Sequence, residues 1–388
     1  MWIKCIRLYQ FRNINEQEIK LSPNVNILIG KNGQGKTNFV ESLYLTLKGI
    51  SFRFAENKNL IQLSKKQSSL IAIVEDDNCD NIFHVQTNFE NVSKKHFLNH
   101  KAVSASTLNL FFSAILFSPE SLEIIKSDSL ARRNFIDEFI INLKNKEFFK
   151  IKFDYQKILK TRNKILKDIR DENIKKEQGL LVLKSLENNF LKLATEYTFL
   201  RTQKIKEILP SLNKAVAEIM GDNMWINVDY LISGENAMHY TISEIYDKLK
   251  SRLSELQSGE LSLGHSLVGP QKHDIHFLVN NQDSRIFCSQ GQQRALILSF
   301  KIAEVVYYKK LYGTYPLLIL DDVFSELDNF RREKLMAFLE TVNSQIIVTT
   351  TDEFLNNNFK LKESTLVINV NEGKFNSVKK ITELNTAR

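Results

Sequence analysis

Residues 30–37 read Gly-Lys-Asn-Gly-Gln-Gly-Lys-Thr. A short run, Val25 to Ile29, apolar but for Asn26, precedes them, and Phe39, Val40, Leu43, Tyr44 and Leu47 follow with partners three and four apart, closed by Gly49. Strand, glycine-rich turn and helix in that order commit the chain to an α/β core. The chemistry explains the residue types. Gly30, Gly33 and Gly35 let the backbone amides of Lys31, Asn32 and Gln34 turn inward around phosphate oxygens. The helix that follows presents its positive end to the same anion. Lys36 reaches the β- and γ-phosphates, and the Thr37 hydroxyl ligates Mg²⁺. Residues 30–37 are therefore the expected cradle for ATP with Mg²⁺.

Such a loop needs an acid at the end of a neighbouring strand. Leu317 to Leu320 form a buried-strand pattern that delivers Asp321 to the carboxyl edge of a sheet, where the metal sits. Asp322 comes next, placed to orient the attacking water or take its proton. Lys36, Asp321 and Asp322 are the expected catalytic groups, with Thr37 and Asp321 as metal ligands. The two halves of this site lie almost three hundred residues apart, so whatever separates them must loop out of one domain.

The intervening sequence has the character of an insertion. Short strand patterns at 71–76, 82–89 and 96–100 read as a β-meander, and Ala114 to Phe117 as another strand. From about 120 to 260 the chain is dense in Lys, Glu, Leu and Ile. Ile151, Tyr155, Ile158, Arg162, Ile165 and Ile169 form one heptad-like seam, and Leu183, Leu186, Phe190, Leu193, Tyr197 and Leu200 a second. Gly179 falls between them, near a polar turn, which predicts an antiparallel helical hairpin. Strand patterns return at 317–320 and 345–351, with helices expected over 295–310 and 329–341. The expected division is 1–120, an N-terminal lobe with the phosphate loop; 121–260, a helical arm; and 261–388, a C-terminal lobe.

Composition narrows the partners. The 388 residues carry a net charge of +8, which raises the expectation of a polyanionic partner. Three scattered cysteines, Cys5, Cys79 and Cys288, with no C-x-x-C pair, suggest a reducing compartment without a zinc site. No apolar run reaches the length of a membrane span, and the N-terminus lacks a signal-peptide core, so a cytoplasmic location is expected.

Ser289-Gln290-Gly291-Gln292 is a polar, uncharged turn ahead of an apolar helical pattern. It resembles the signature motif of ABC-type ATPases, and Ser325-Glu326-Leu327-Asp328 resembles their D-loop. In that architecture the signature turn faces the γ-phosphate held by a second subunit, so Ser289, Gln290, Gly291 and Gln292 are added to the nucleotide-binding set. This implies an ATP-sandwiched homodimer.

Further blocks sharpen the resemblance. Leu8-Tyr9-Gln10-Phe11-Arg12-Asn13, the segment Gly33 to Ser42, Ser51-Phe52-Arg53, Ser118-Pro119-Glu120 and Ala131 to Asp137 occur in order. With the signature, the strand-end aspartates and Thr349-Thr350-Thr351-Asp352, they are similar to the RecF family of bacterial recombination mediators. The resemblance implies an ABC-type P-loop ATPase head, with a mixed sheet and a β-meander, carrying an inserted α-helical, coiled-coil-like arm. It implies ATP and Mg²⁺ as cofactors. It implies a nucleoid-associated, ATP-gated clamp on double-stranded DNA and gapped junctions, aiding RecA loading with RecO and RecR. Lys150, Lys152, Lys157, Lys160, Arg162, Lys164 and Lys167 are candidate DNA contacts.

The chain departs from the family pattern in places. Gln271-Lys272-His273 stands within a segment, Gly269 to Asp274, where the family reads G-P-H-R-D-D. Asp322 stands where ABC ATPases carry Glu, and the threonine run where they carry a switch His. Asp is one methylene shorter than Glu, so slow hydrolysis suited to a switch is expected. Alternatives are an SMC-like structural DNA tether, which needs a far longer coiled coil, and the ATPase subunit of a defence or transport system.

Overall fold

The structure, a computed structural model, describes residues 1–53, 55–76, 81–90, 93–351 and 365–378. Cys79 and Asp352 lie outside the described residues. The chain forms two compact units, Met1–Leu122 with Arg294–Arg388, and Glu123–Gln293.

The first unit opens with β1 (Trp2–Phe11), β2 (Ile14–Lys20), β3 (Val25–Ile29), α1 (Lys36–Lys48), α2 (Asn57–Leu60), β4 (Gln67–Asp76), β5 (Asn81–Glu90), β6 (Ser93–Leu98), β7 (Lys101–Val103), α3 (Ala105–Phe111), β8 (Ala114–Phe117) and α4 (Pro119–Leu122). The second carries α5 (Ser129–Asn142), α6 (Lys146–Arg170), α7 (Lys176–Met220), β9 (Ile226–Ile232), β10 (Glu235–Asn236), α8 (Ile242–Glu255), α9 (Gln257–Leu263), β11 (Asp274–Val279), β12 (Gln282–Asp283) and α10 (Ser284–Phe287). Helix α11 (Gln290–Tyr312) leads back to the first unit, which ends with β13 (Leu317–Asp321), α12 (Asn329–Thr341), β14 (Ile346–Thr350), β15 (Leu366–Asn371) and β16 (Lys374–Val378).

Two sheets build the first unit. One is antiparallel, in the order β2-β1-β4-β5-β6-β7. The other runs β16-β15-β3-β14-β13-β8, parallel from β15 to β8 with β16 antiparallel on the edge. Residues of β13 and β14 are buried throughout; Leu317 to Leu320 and Ile346 to Val348 are apolar, as strands covered on both faces require, and Asp321, Thr349 and Thr350 follow as buried polar residues at the carboxyl ends. Helix α1 lies between the two sheets. Its Phe39, Val40 and Leu43 share one core with Ile6, Leu8 and Leu70 of the antiparallel sheet and with Leu28, Ile319 and Ile347 of the parallel one. The seam read from sequence is thus only part of what α1 buries: Glu41, Ser42, Thr46 and Lys48 are buried too.

In the second unit α6 and α7 join through a turn at 171–175, as a helical hairpin. The seam of α6 is Ile151, Tyr155, Ile158, Arg162, Leu166 and Ile169. Leu166 replaces the expected Ile165 because a straight helix drifts from a strict heptad. Gly179 lies inside α7, not between the helices, and its bare Cα faces Ile169, where a Cβ would come within 2.4 Å of Cγ1. Within the stretch expected to be helical, Ile226–Ile232 is instead a strand. Ile226, Val228, Tyr230 and Ile232 alternate as buried positions. Residues 274–283, grouped by sequence with the C-terminal lobe, fall in this unit because β11 pairs antiparallel with β9. Among the described residues no helix is long and apolar enough to cross a membrane.

Candidate nucleotide site

The phosphate loop connects β3 to α1. Gly35 caps α1 with φ of 113°, a conformation that favours glycine, and a Cβ there would meet the Asn13 amide at 2.9 Å. At Gly30 a Cβ would strike the Val370 carbonyl of β15 at 2.3 Å. Lys31, Asn32 and Gly33 are exposed at the turn, and Gln34 leads into Gly35. Lys36 is nearly buried, and its ammonium donates to the Gly30 and Lys31 carbonyls at 2.6 and 3.1 Å. Burial lowers its pKa, while the charges of Asp322 and Asp321 oppose that shift.

The parallel sheet brings the second half of the site to the first. Strand β14 lies between β3 and β13, and all three end at one edge. There the Thr37 hydroxyl donates to Asp321 Oδ1 at 3.2 Å, across 284 residues of sequence. Burial pushes the Asp321 pKa up; the Thr349 and Thr37 hydroxyls pull it down; the charges of Glu120 and Asp322 push it up again. Asp322 adopts the left-handed region, with φ of 51°. Its amide donates to Thr349 Oγ1 at 2.9 Å, and Thr349 donates to Asp321 Oδ1 at 2.7 Å. The threonine run thus contributes a direct partner to both aspartates, a role that nothing in its local sequence signals.

These residues fit ATP with Mg²⁺. A glycine turn and an uncapped helix N-terminus suit a polyphosphate. A hydroxyl and a carboxylate oxygen in hydrogen-bond contact are the hard donors that Mg²⁺ prefers.

Three scattered sequence blocks meet beneath the loop. Arg12 donates to both carboxylate oxygens of buried Glu41, which also accepts from Ser51 Oγ at 2.5 Å. Arg53 donates to Asn38 Oδ1 at 3.2 Å, Asn38 to Asn13 Oδ1 at 2.8 Å, and Asn13 to the Gln34 carbonyl at 3.2 Å. The turn between β15 and β16 grips the same glutamine: Glu372 N donates to Gln34 Oε1 at 2.7 Å, and Gly373 N to its carbonyl at 2.8 Å. This C-terminal hairpin therefore holds the tip of the phosphate loop.

The signature residues lie in the second unit. Ser289, Gln290 and Gly291 are exposed and Gln292 half-buried. The Ser289 amide donates to Gln292 Oε1 at 2.8 Å and the Gln292 amide to Ser289 Oγ at 3.3 Å, a reciprocal cap. Helix α11 therefore starts at Gln290, five residues before the expected Ala295. In the D-loop segment Ser325 Oγ donates to the Asp322 carbonyl at 2.7 Å, Glu326 pairs with Arg294 at 2.8 Å, and Asp328 caps α12.

Two candidate DNA contacts have other partners. Arg162 is buried, paired with Glu260 at 2.5 Å and bonded to Ser266, and Lys152 pairs with Asp137 at 2.8 Å. Lys150, Lys157, Lys160, Lys164 and Lys167 are exposed. Their spacings of seven, three, four and three put them on one face of α6, opposite its buried seam. The departing segment packs internally. Gln271 accepts from the Tyr155 hydroxyl, His273 Nδ1 contacts the Tyr230 hydroxyl at 3.0 Å, and Asp274 takes a forked bond from Arg132, while Lys272 is exposed.

A family model described as the RecF/RecN/SMC N terminal domain matches residues 2–376. The DNA replication and repair protein RecF of Lactobacillus johnsonii is 33% identical over 91% of this chain and 93% of its own length. That of Clostridium botulinum (strain ATCC 19397 / Type A) is 32% identical over 97% of this chain and 100% of its own. A solved structure of the recombination mediator protein RecF with ATP in the RecFOR pathway matches with a TM-score of 0.86 at 27% identity, covering 97% of this chain and 98% of that one. An Smc head domain from Pyrococcus furiosus shares the fold, with a TM-score of 0.56 at 14% identity over 99% of this chain and 98% of that one. The chain has an ABC-type ATPase head fold with an inserted helical hairpin, and it belongs to the RecF family.

Proposed function

We propose that this protein is an ATP-gated DNA-binding clamp, a recombination mediator in DNA repair and replication. The observation that carries the reading is the contact between Thr37 of the phosphate loop and Asp321 of the distant strand. It joins the two halves of a nucleotide site that neither segment makes alone. The relatives' names and the RecF–ATP structure support the same reading.

In this mechanism residues 30–37 wrap the phosphates with backbone amides, and Lys36 neutralises charge on the transferred phosphoryl group. Thr37 and Asp321 would hold Mg²⁺, which would supply charge neutralisation at the phosphates. Asp322 orients the attacking water and takes its proton. Ser289, Gln290, Gly291 and Gln292 close over the γ-phosphate held by a second copy, so the homodimer lasts while that phosphate remains. Hydrolysis is slow; a turnover of ~10² s⁻¹ or more, the upper part of the ordinary enzyme range, would contradict it.

Lys150, Lys157, Lys160, Lys164 and Lys167 on α6 contact the phosphate backbone of DNA at gapped or single-strand junctions. RecO and RecR act with the clamp to load RecA. The decisive measurement is light scattering with ATP and Mg²⁺ on Asp322→Asn, paired with binding to gapped, linear and single-stranded DNA. The reading expects an ATP-dependent dimer that binds DNA more tightly than the ADP form does. A strict monomer under those conditions would overturn it.

A further inference from the structure

We propose that Thr349 is a positioning residue that sets the geometry of both aspartates in the nucleotide site. The inference rests on the reading of that site given above. Strand β14 lies between β3 and β13, and the register places Thr349 beside Leu28 on one side and Asp321 on the other. Thr349 is fully buried. Its hydroxyl donates to Asp321 Oδ1 at 2.7 Å and accepts from the Asp322 amide at 2.9 Å. A hydroxyl has one proton to give and lone pairs to receive, so one oxygen serves both neighbours.

The two bonds constrain different things. The first fixes the rotation of the Asp321 carboxylate, whose Oδ1 also accepts from Thr37 at 3.2 Å. The second holds the backbone of Asp322, which has φ of 51° without being glycine. That conformation is less favourable than the right-handed one for an L-residue and is held here by its neighbours. With the hydroxyl gone, Asp322 loses a partner for its amide and leaves the left-handed region. Its carboxylate then points elsewhere. Asp321 keeps only the longer bond from Thr37. Thr349 acts through the two aspartates.

The test compares Thr349→Val, which keeps the volume and loses the hydroxyl, with Thr349→Ser, which keeps the hydroxyl. Binding of a fluorescent ATP analogue is measured in EDTA and across a Mg²⁺ titration. Hydrogen exchange is followed by mass spectrometry on peptides covering Asp321 and Asp322. In Thr349→Val the Mg²⁺ midpoint is expected to rise about tenfold, the usual cost of losing a group that orients a metal ligand. Affinity in EDTA stays within about twofold, exchange at Asp322 accelerates about tenfold, and Thr349→Ser matches the parent protein. An unchanged Mg²⁺ midpoint in Thr349→Val, or a Ser variant as impaired as the Val variant, would overturn the proposal. Should the parent protein bind no nucleotide, the proposed function fails, while the exchange measurement still decides the role of Thr349: unchanged exchange rejects it. If Thr349→Val does not fold, Thr349→Cys, of similar volume and a weaker hydrogen-bonder, is read in the same way.

Discussion

Arg12 grips both carboxylate oxygens of Glu41, Nε to Oε2 at 2.9 Å and Nη2 to Oε1 at 2.8 Å. Glu41 is wholly buried in α1, the helix that the phosphate loop opens. Arg53 stands 3.9 Å from the same carboxylate and Ser51 donates to it. The ion pair therefore ties the end of β1 to the helix that carries Lys36 and Thr37. Replacing Arg12 with Ala leaves a buried carboxylate without its main partner. A loss of about 3–5 kcal/mol is expected in chemical denaturation. Arg12→Lys recovers only part, because an ammonium cannot make the forked contact. A loss below about 1 kcal/mol, the size of an exposed ion pair, would show the pair to be dispensable.

Lys36→Ala separates binding from folding. The ammonium is held against two carbonyls of its own loop, and its burial disfavours the charged form. Removing it is expected to leave the melting temperature close to that of the parent protein. ATP affinity falls about 10- to 100-fold, the loss of a charge-assisted hydrogen bond. A fluorescent-nucleotide titration checks this, and an unchanged affinity would remove Lys36 from the site.

The lysine face of α6 gives a salt-dependence prediction. Changing Lys157, Lys160 and Lys164 together to Gln removes three cations from one exposed face. If each contacts a DNA phosphate, the slope of log affinity against log salt becomes shallower by about 0.9 per lysine. Fluorescence anisotropy at several salt concentrations reads it. An unchanged slope would make this a solvated face.

Two buried histidines set a direction for stability against pH. Burial, reinforced by the Lys94 charge, lowers the His96 pKa to about 4, with the Gly49 carbonyl opposing. Burial next to Arg201 and Arg133 holds His273 well below its usual value. The unfolded chain protonates both near the ordinary histidine pKa of about 6.5, before the folded chain does. Their contribution is whole above that value and is lost as pH falls, for His96 over the interval down to about 4. His96→Gln is expected to flatten the fall between pH 7 and pH 5 in denaturant titrations; an equal fall in both proteins would contradict this.

What could be read along the chain was local. Val25 to Ile29, apolar but for Asn26, and the unbroken apolar run Ala114 to Phe117 each became a strand with those bounds. Asn329 to Thr341 became α12 as expected. Other features escaped because their cause is distant. Ile226–Ile232 sits among helices in sequence, and its period-two alternation was overshadowed by them. Arg162 fits by sequence both the seam of α6 and the row of candidate DNA contacts; its burial against Glu260 and Ser266 assigns it to the seam. Thr349 looked like one threonine of three.

By itself the sequence settled which chemical groups are present and the local shapes that carry them: a glycine turn ahead of a helix, apolar strands, and acids at a strand end. These follow from backbone sterics and from burial patterns a few residues long. The tertiary structure alone decided which groups meet. Thr37 and Asp321 touch across 284 residues because β14 lies between their two strands in the sheet. Strand order is set by how the whole core packs, and no periodicity along the chain encodes it.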